Sequence, residues 1–193
     1  MEKPFSQPCE NNKQPIVDIL STEFKHTRYV LEIGSGTGQH AVHFAPRLPH
    51  LRWQTADQAE YHTGIHAWMA EQPSSNLLAP IEFIFPDAIW PSSEIDGVFT
   101  ANTAHIMLKQ EVQAMMTLID NMLPKSGVFC QYGPFIVDGK FSSQSNLDFH
   151  HKLLDSGRGG YRDVDELVAW APNLSLSHIH EMPANNLLLV WIK

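Results

Sequence analysis

The chain is poor in cysteine and in cations and has no long apolar run, and each shortage removes a class of protein. Cys9 and Cys130 are the only thiols, far apart and without a Cys-x-x-Cys, so neither a disulfide framework nor a zinc site is predicted and both are read as reduced. Lys and Arg number 13 against 21 Asp and Glu, a formal net charge of −8. The cations are scattered rather than clustered, so bulk DNA or RNA is not an expected partner. No apolar stretch approaches the roughly 18 residues of a membrane span. The longest, Leu187 to Ile192, has the length of a strand. The opening Met-Glu-Lys-Pro-Phe-Ser-Gln-Pro-Cys lacks the apolar core of a signal peptide or anchor, which makes the cytoplasm the expected location. Internal repeats and low-complexity tracts are also missing, and 193 residues suit a single α/β domain, 1–193.

What the chain does contain is concentrated at residues 28–38, Arg-Tyr-Val-Leu-Glu-Ile-Gly-Ser-Gly-Thr-Gly. An apolar run from Tyr29 to Ile33 turns through Gly34, Gly36 and Gly38 into a helix-compatible segment. Such a loop permits positive φ and close approach of a ligand, and a helix start offers unpaired N–H groups. A nucleotide-like cofactor is the expected guest. The dinucleotide fingerprint Gly-x-Gly-x-x-Gly fails, because its last position is Gln39 and the third glycine comes one residue early. Glu32, at the carboxyl end of the strand, would repel a pyrophosphate and suits the ammonium and sulfonium of S-adenosylmethionine. Glu-x-Gly-x-Gly-x-Gly resembles the first motif of class I S-adenosylmethionine-dependent methyltransferases.

Apolar periodicity predicts strands alternating with helices, hence a mostly parallel sheet with helices on both faces. Helices are expected over 16–24, 39–45, 60–70, 104–123 and from Asp163 to about Trp170, where Glu166 completes a capping box. The helix over 104–123 aligns Leu108, Val112, Met115, Met116, Ile119 and Leu123 on one face. Strands are expected over 29–33, 51–56, 81–85, 95–100, 128–132, 174–180 and 187–192, the last two joined by a Pro-Ala-Asn-Asn turn that makes the final strand antiparallel. Seven strands ending in a hairpin resemble the three-layer, Rossmann-like class I methyltransferase fold.

Ligands of open α/β sheets sit outside the carboxyl ends of the strands, so those ends supply the candidate site. Asp57, after the second strand, can accept both ribose hydroxyls, although Asp is also favoured in turns and caps. With it, Ser35 and Gln58 are assigned to the cofactor. Asp87, with Ala88 and Ile89, is the candidate adenine contact, against ordinary Pro-Asp turn chemistry. Asn102 is assigned to cofactor or acceptor, and His105 to orientation or proton removal, with a helix-cap or surface role as its alternative. Tyr132 is expected to point into the same cleft and shape the acceptor pocket. Residues 133–157 read as a lid or substrate insertion at the active edge.

Asn-Lys-Gln-Pro-Ile at 12–16, Glu-Ile-Gly-Ser-Gly-Thr-Gly-Gln-His-Ala at 32–41, Asn-Thr-Ala-His at 102–105, Tyr-Gly-Pro-Phe at 132–135, Gln-Ser-Asn-Leu-Asp-Phe at 144–149 and Met-Pro-Ala-Asn-Asn at 182–186 together resemble the DUF938, or methyltransferase-like 26, family. The resemblance covers nearly the whole chain and implies the methyltransferase fold and S-adenosylmethionine, with no acceptor implied. Where that family has Arg-Asn-Lys-Asp-Pro-Ile, this chain carries Asn11 and Gln14 at the two charged positions.

The histidine pairs 62/66, 40/43 and 178/180 lack a third ligand, so no metal is predicted and solvated histidines are expected. The reading is a methyltransferase with a small-molecule or protein acceptor. Two rivals stay open: a non-catalytic S-adenosylmethionine-binding or regulatory protein, and an NAD-dependent oxidoreductase. The short-chain form of the latter needs Tyr-x-x-x-Lys, and the residues four after Tyr29, Tyr61, Tyr132 and Tyr161 are Ile33, Ile65, Ile136 and Asp165.

Overall fold

A computed structural model describes residues 3–193. The chain opens with α1 (Gln7–Glu23), capped by the Ser6 hydroxyl, which accepts from Cys9 N at 3.4 Å. This helix starts nine residues before the predicted Ile16 and takes in two prolines. Pro8 lies in the first turn, where its missing N–H is harmless, and Pro15 is carried inside the helix. There follow β1 (Tyr29–Ile33), α2 (Gln39–Phe44) running into a 3₁₀ turn at Ala45–Arg47, β2 (Arg52–Asp57) and α3 (Ala59–Glu71).

The third strand, β3 (Leu77–Glu82), lies four residues upstream of the predicted start. Pro80 obscured it. As the sheet's edge, β3 needs N–H partners on one side only, and the Pro falls where two of its residues oppose one of β2, between the pairs Gln54–Leu78 and Ala56–Ile81. Phe83 and Phe85 therefore belong to the loop at the strand's carboxyl end. Beyond β4 (Gly97–Ala101), the predicted helix over 104–123 begins only at α4 (Lys109–Met122). Asn102 is left-handed (φ 58°), a turn follows, and Glu111 caps the helix by accepting from Leu108 N at 2.7 Å. Of the expected apolar face, Val112, Met115, Met116, Ile119 and Leu123 are buried, whereas Leu108 is exposed ahead of the helix. The chain finishes with β5 (Val128–Gly133), α5 (Gln144–Asp155), α6 (Val164–Trp170), β6 (Ser175–Met182) and β7 (Asn186–Ile192). α6 carries the predicted Asp163–Glu166 capping box, and α5 was hidden in the stretch read as a lid.

The seven strands pair in the order β3-β2-β1-β4-β5-β7-β6, with β7 antiparallel to both neighbours and the others parallel. Period-two alternation splits the core between the faces. Leu31, Val98, Phe129 and Trp191 pack on the side of α4 and α6, while Val30, Phe99, Cys130 and Val190 pack on the side of α1 and α2. On that second side Phe99 lies 5.5 Å from Phe44 and 5.8 Å from Trp53, ring centre to ring centre, which joins the second helix to two strands. No described helix is long and apolar enough to cross a membrane. Phe99→Ala should remove this junction and lower unfolding free energy in urea by about 3–5 kcal/mol.

Candidate functional site

The alternation that buries Val30 also turns Glu32 inward, beneath the glycine loop and 1% exposed. Its Oε2 accepts from Trp53 Nε1 at 3.1 Å and from Ser35 Oγ at 3.0 Å. Burial pushes this carboxyl up to about 7, against the lowering effect of those two donors, and the Asp57 charge adds to the rise. Ser35 Oγ in turn accepts from Ala56 N at 3.1 Å, and the Ala56 carbonyl accepts from Gly34 N and Ser35 N at 2.9 and 3.2 Å. One acid thereby stitches the end of β1 to the end of β2.

Two glycines are demanded by space as well as by dihedral angle. A Cβ at Gly34 (φ 75°) would lie 2.4 Å from Thr103 Cγ2, and one at Gly38 (φ 88°) 3.0 Å from Ile65 Cα. The loop amides differ from expectation. Besides the bonds to Ala56, Gly36 N donates to Asp57 Oδ2 at 2.7 Å and Gly38 N to the Ser35 carbonyl at 2.9 Å. The protein itself consumes donors that a phosphate would need. Asp57 also accepts from Gln58 N at 2.7 Å, and burial raises its carboxyl above the ordinary value despite both backbone bonds.

Two adjoining cavities open at the strand ends. The smaller, about 290 Å³, is walled by Gly36, Asp57, Gln58, Phe83 and Phe85 on one side and by the Asn102–Met107 turn on the other. The larger, about 610 Å³, shares Gly34, Gly36, Tyr61 and Asn102 with it and extends to Cys9, His105, Phe149 and Tyr161. Asn102 stands at their junction, its N–H donating to the Tyr132 carbonyl at 2.9 Å.

The structure thus brings Gly34, Ser35, Gly36, Asp57, Gln58, Asn102 and His105 to these walls, with Glu32 and Gly38 supporting the loop. Asp87 and Ala88 lie elsewhere: Asp87 is exposed, and Ala88 borders a groove along α4. Because β3 ends at Glu82, its carboxyl-end loop presents Phe83, Ile84 and Phe85 to the cavity instead. Tyr132 is 3% exposed in the core on the α1 side and lines neither cavity. His105 sits in a buried turn rather than at a helix start or the surface, and burial, aided by Arg158, lowers its imidazole to about 4. His40 and His43 are buried too, not solvated. Burial lowers them to about 3 and about 4, and His40 Nε2 meets Asn12 Oδ1 at 2.7 Å. Tyr61 and Tyr161, both wall residues, were not singled out in the sequence. Tyr61, one helical turn beyond Asp57, was findable by spacing, whereas Tyr161 reaches the site only through tertiary packing. Among the described residues, no three His, Cys, Asp or Glu side chains gather as a metal-binding group.

This strand order, with one antiparallel strand inserted and a glycine loop after β1, defines the Rossmann-like methyltransferase fold. An O-methyltransferase family 2 protein from Planctomyces limnophilus, solved with apigenin, superposes with a TM-score of 0.83 at 17% identity over 96% of this chain and 57% of its own. Human N-acetylserotonin methyltransferase, solved with SAM, gives 0.75 at 12% identity over 94% and 54%. PigF with SAH gives 0.76 at 16% identity over 93% and 55%. The chain thus spans little more than half the length of these proteins, and at such identities the likeness is one of fold. Within that class the chain belongs to the family described as Protein of unknown function (DUF938), whose model matches residues 3–193.

Burial of Glu32 sets the sign of a stability test. Its folded value of about 7 exceeds the ordinary 4.5, so the folded chain holds the proton more tightly and loses stability as pH rises from 4.5 through 7. Glu32→Gln should flatten that slope and stabilise the ligand-free protein at pH 8, by on the order of 3 kcal/mol at most, measured by thermal or urea unfolding.

Proposed function

We propose that the chain is an S-adenosylmethionine-dependent methyltransferase. One observation carries the reading: at the nucleoside end of the site a carboxylate, Asp57, faces the cavity, while four loop amides that could have bound phosphate already donate within the protein. A nucleoside with a cationic tail suits that arrangement, and a pyrophosphate does not. The fit extends to Gly36, where an added Cβ would meet no protein atom within 4 Å and would project into open space.

Asp57 keeps lone pairs on both oxygens for ribose hydroxyls, and Phe83 and Phe85, edge to face at 5.4 Å, offer an apolar bed for a flat base. Glu32 supplies negative charge beneath the methionyl end. When bound, S-adenosylmethionine supplies an electrophilic methyl group on a sulfonium. The residues of this chain orient the acceptor against it, an effect worth on the order of 7–11 kcal/mol in well-aligned intramolecular reactions. In this reading His105, uncharged near pH 7, takes the acceptor's proton and Asn102 holds either partner. Residues 1–193 act as one cofactor-binding unit in this reading, with 133–157 forming the acceptor-side wall.

Calorimetric titration tests it. S-adenosylmethionine and S-adenosylhomocysteine should bind and NAD should not; at 100 times its dissociation constant either ligand should stabilise the fold by about 2.7 kcal/mol. Stabilisation by NAD alone would sink the reading. Asp57→Asn should weaken S-adenosylhomocysteine about tenfold or more, as loss of a charge-assisted bond does.

The cationic ligand should lower the Glu32 value, so affinity should rise between pH 5.5 and 8 with release of a proton. Titrations in buffers of different ionisation heat would detect that proton. Glu32→Gln should abolish its release.

A further inference from the structure

The larger cavity has a chemistry that narrows the acceptor. Among the described residues, none of those lining it is Asp, Glu, Lys or Arg, in a chain whose residues are 18% charged. Its two histidines add no charge near neutrality, since burial holds His40 at about 3 and His105 at about 4. The contrast with the opposite end of the sheet is plain: a cavity of about 750 Å³ there is lined by Glu23, Arg28, Arg52, Glu94, Asp96 and Lys125. Nearby charges are turned away from the acceptor space. Arg162 donates to the carbonyls of Gly159 and Gly160, Glu32 faces Trp53 and Ser35, and Arg158, whose charge acts on His105, is exposed and outside the lining. A phosphate, carboxylate or ammonium on the Phe149 and Tyr161 side of this space, away from the glycine loop and Glu32, would surrender water without meeting a counter-charge among the lining residues.

Its apolar wall is aromatic and drawn from three segments. The Tyr161 ring lies 6.0 Å from His105 on the turn after β4, 6.2 Å from Phe149 on α5 and 5.9 Å from His150. The segments are pinned together by Gly160 N donating to the His105 carbonyl at 3.1 Å and Tyr161 N to His150 Nδ1 at 3.0 Å. Phe149 is still 44% exposed, a large apolar face at the rim. The polar side chains on its walls are neutral ones, among them the amides of Asn102, Asn146 and Asn186 and the hydroxyls of Ser145 and Tyr161. Flat rings pack offset or edge to face on such walls, and a space of this size suits a small molecule.

We infer that the acceptor is an uncharged, hydroxylated aromatic small molecule, held against Phe149 and Tyr161 with its hydroxyl toward His105. The inference rests on the methyl-transfer reading above. In the step, the hydroxyl oxygen bonds to the methyl carbon, the carbon–sulfur bond breaks with its electron pair going to sulfur, and the hydroxyl proton passes to the His105 ring. The products are a methyl ether and a neutral thioether.

The test is calorimetry on protein saturated with S-adenosylhomocysteine, titrated with 2-naphthol, 2-naphthoate and 2-naphthylmethylammonium. Naphthol should bind about tenfold or more tightly than either charged analogue, reflecting the unpaired buried charge. Phe149→Ala should weaken naphthol several-fold while S-adenosylhomocysteine affinity stays unchanged. Ser145→Lys, which places an ammonium at the rim, should shift preference toward naphthoate. If S-adenosylhomocysteine fails to bind, the cofactor reading falls and takes this inference with it. Should it bind while the charged analogues match naphthol, or none of the three binds, or Ser145→Lys leaves the preference unchanged, the acceptor inference alone is overturned.

Discussion

Glu32 is held under the glycine loop by an indole and a hydroxyl, and the order of the whole site runs through that carboxylate. Ser35, fixed by donating to it, accepts from Ala56 N, whose residue in turn binds the first two amides of the loop. From there the loop reaches Gly36, which secures Asp57, and the Asp57 side chain accepts from Gln58 N just ahead of α3. A buried acid is costly, as its raised ionisation shows, and it persists where two strand ends must be held in one register for a ligand. Stability and binding thus oppose each other at this residue.

A second consequence concerns the loop. Glycine-rich turns after a strand are commonly read as phosphate cradles because their amides are free. Here the amides serve the protein, and the negative groups beneath and beside them make the same sequence element suited to a cation and a sugar. Gln39, at the position where a dinucleotide loop needs glycine, does structural work instead: its side chain accepts from Ser6 N at 2.6 Å and donates to Glu10 at 2.7 Å. That clasp lays the N-terminal segment along the loop, so Ser6 and Cys9 become part of the larger cavity's wall.

Much of this was legible in the residues. The strand–loop acid, the glycine spacing, Asp57, the closing hairpin and the α6 capping box are local patterns, each set by one or two turns of chain. Legibility failed where a local rule was overruled from a distance. Pro15 and Pro80 carry the signal of breaks, yet a helix packed on the sheet and a strand at its edge absorb them. The shift of β3 then put Phe83 and Phe85, rather than Asp87, on the wall of the strand-end cavity. His105, read as a possible cap or surface residue, is buried because Tyr161 and Phe149 arrive from segments more than 40 residues away.

The sequence by itself determined the class of fold and the sign of the charge around the cofactor loop, since apolar period and the placement of Glu32 and Asp57 at strand ends are properties of neighbouring residues. Only the tertiary structure decided what lines the larger cavity. The neutrality of that cavity arises from which side chains are turned away and which histidines are buried deeply enough to stay uncharged, and burial is a property of the packed chain rather than of any segment of it.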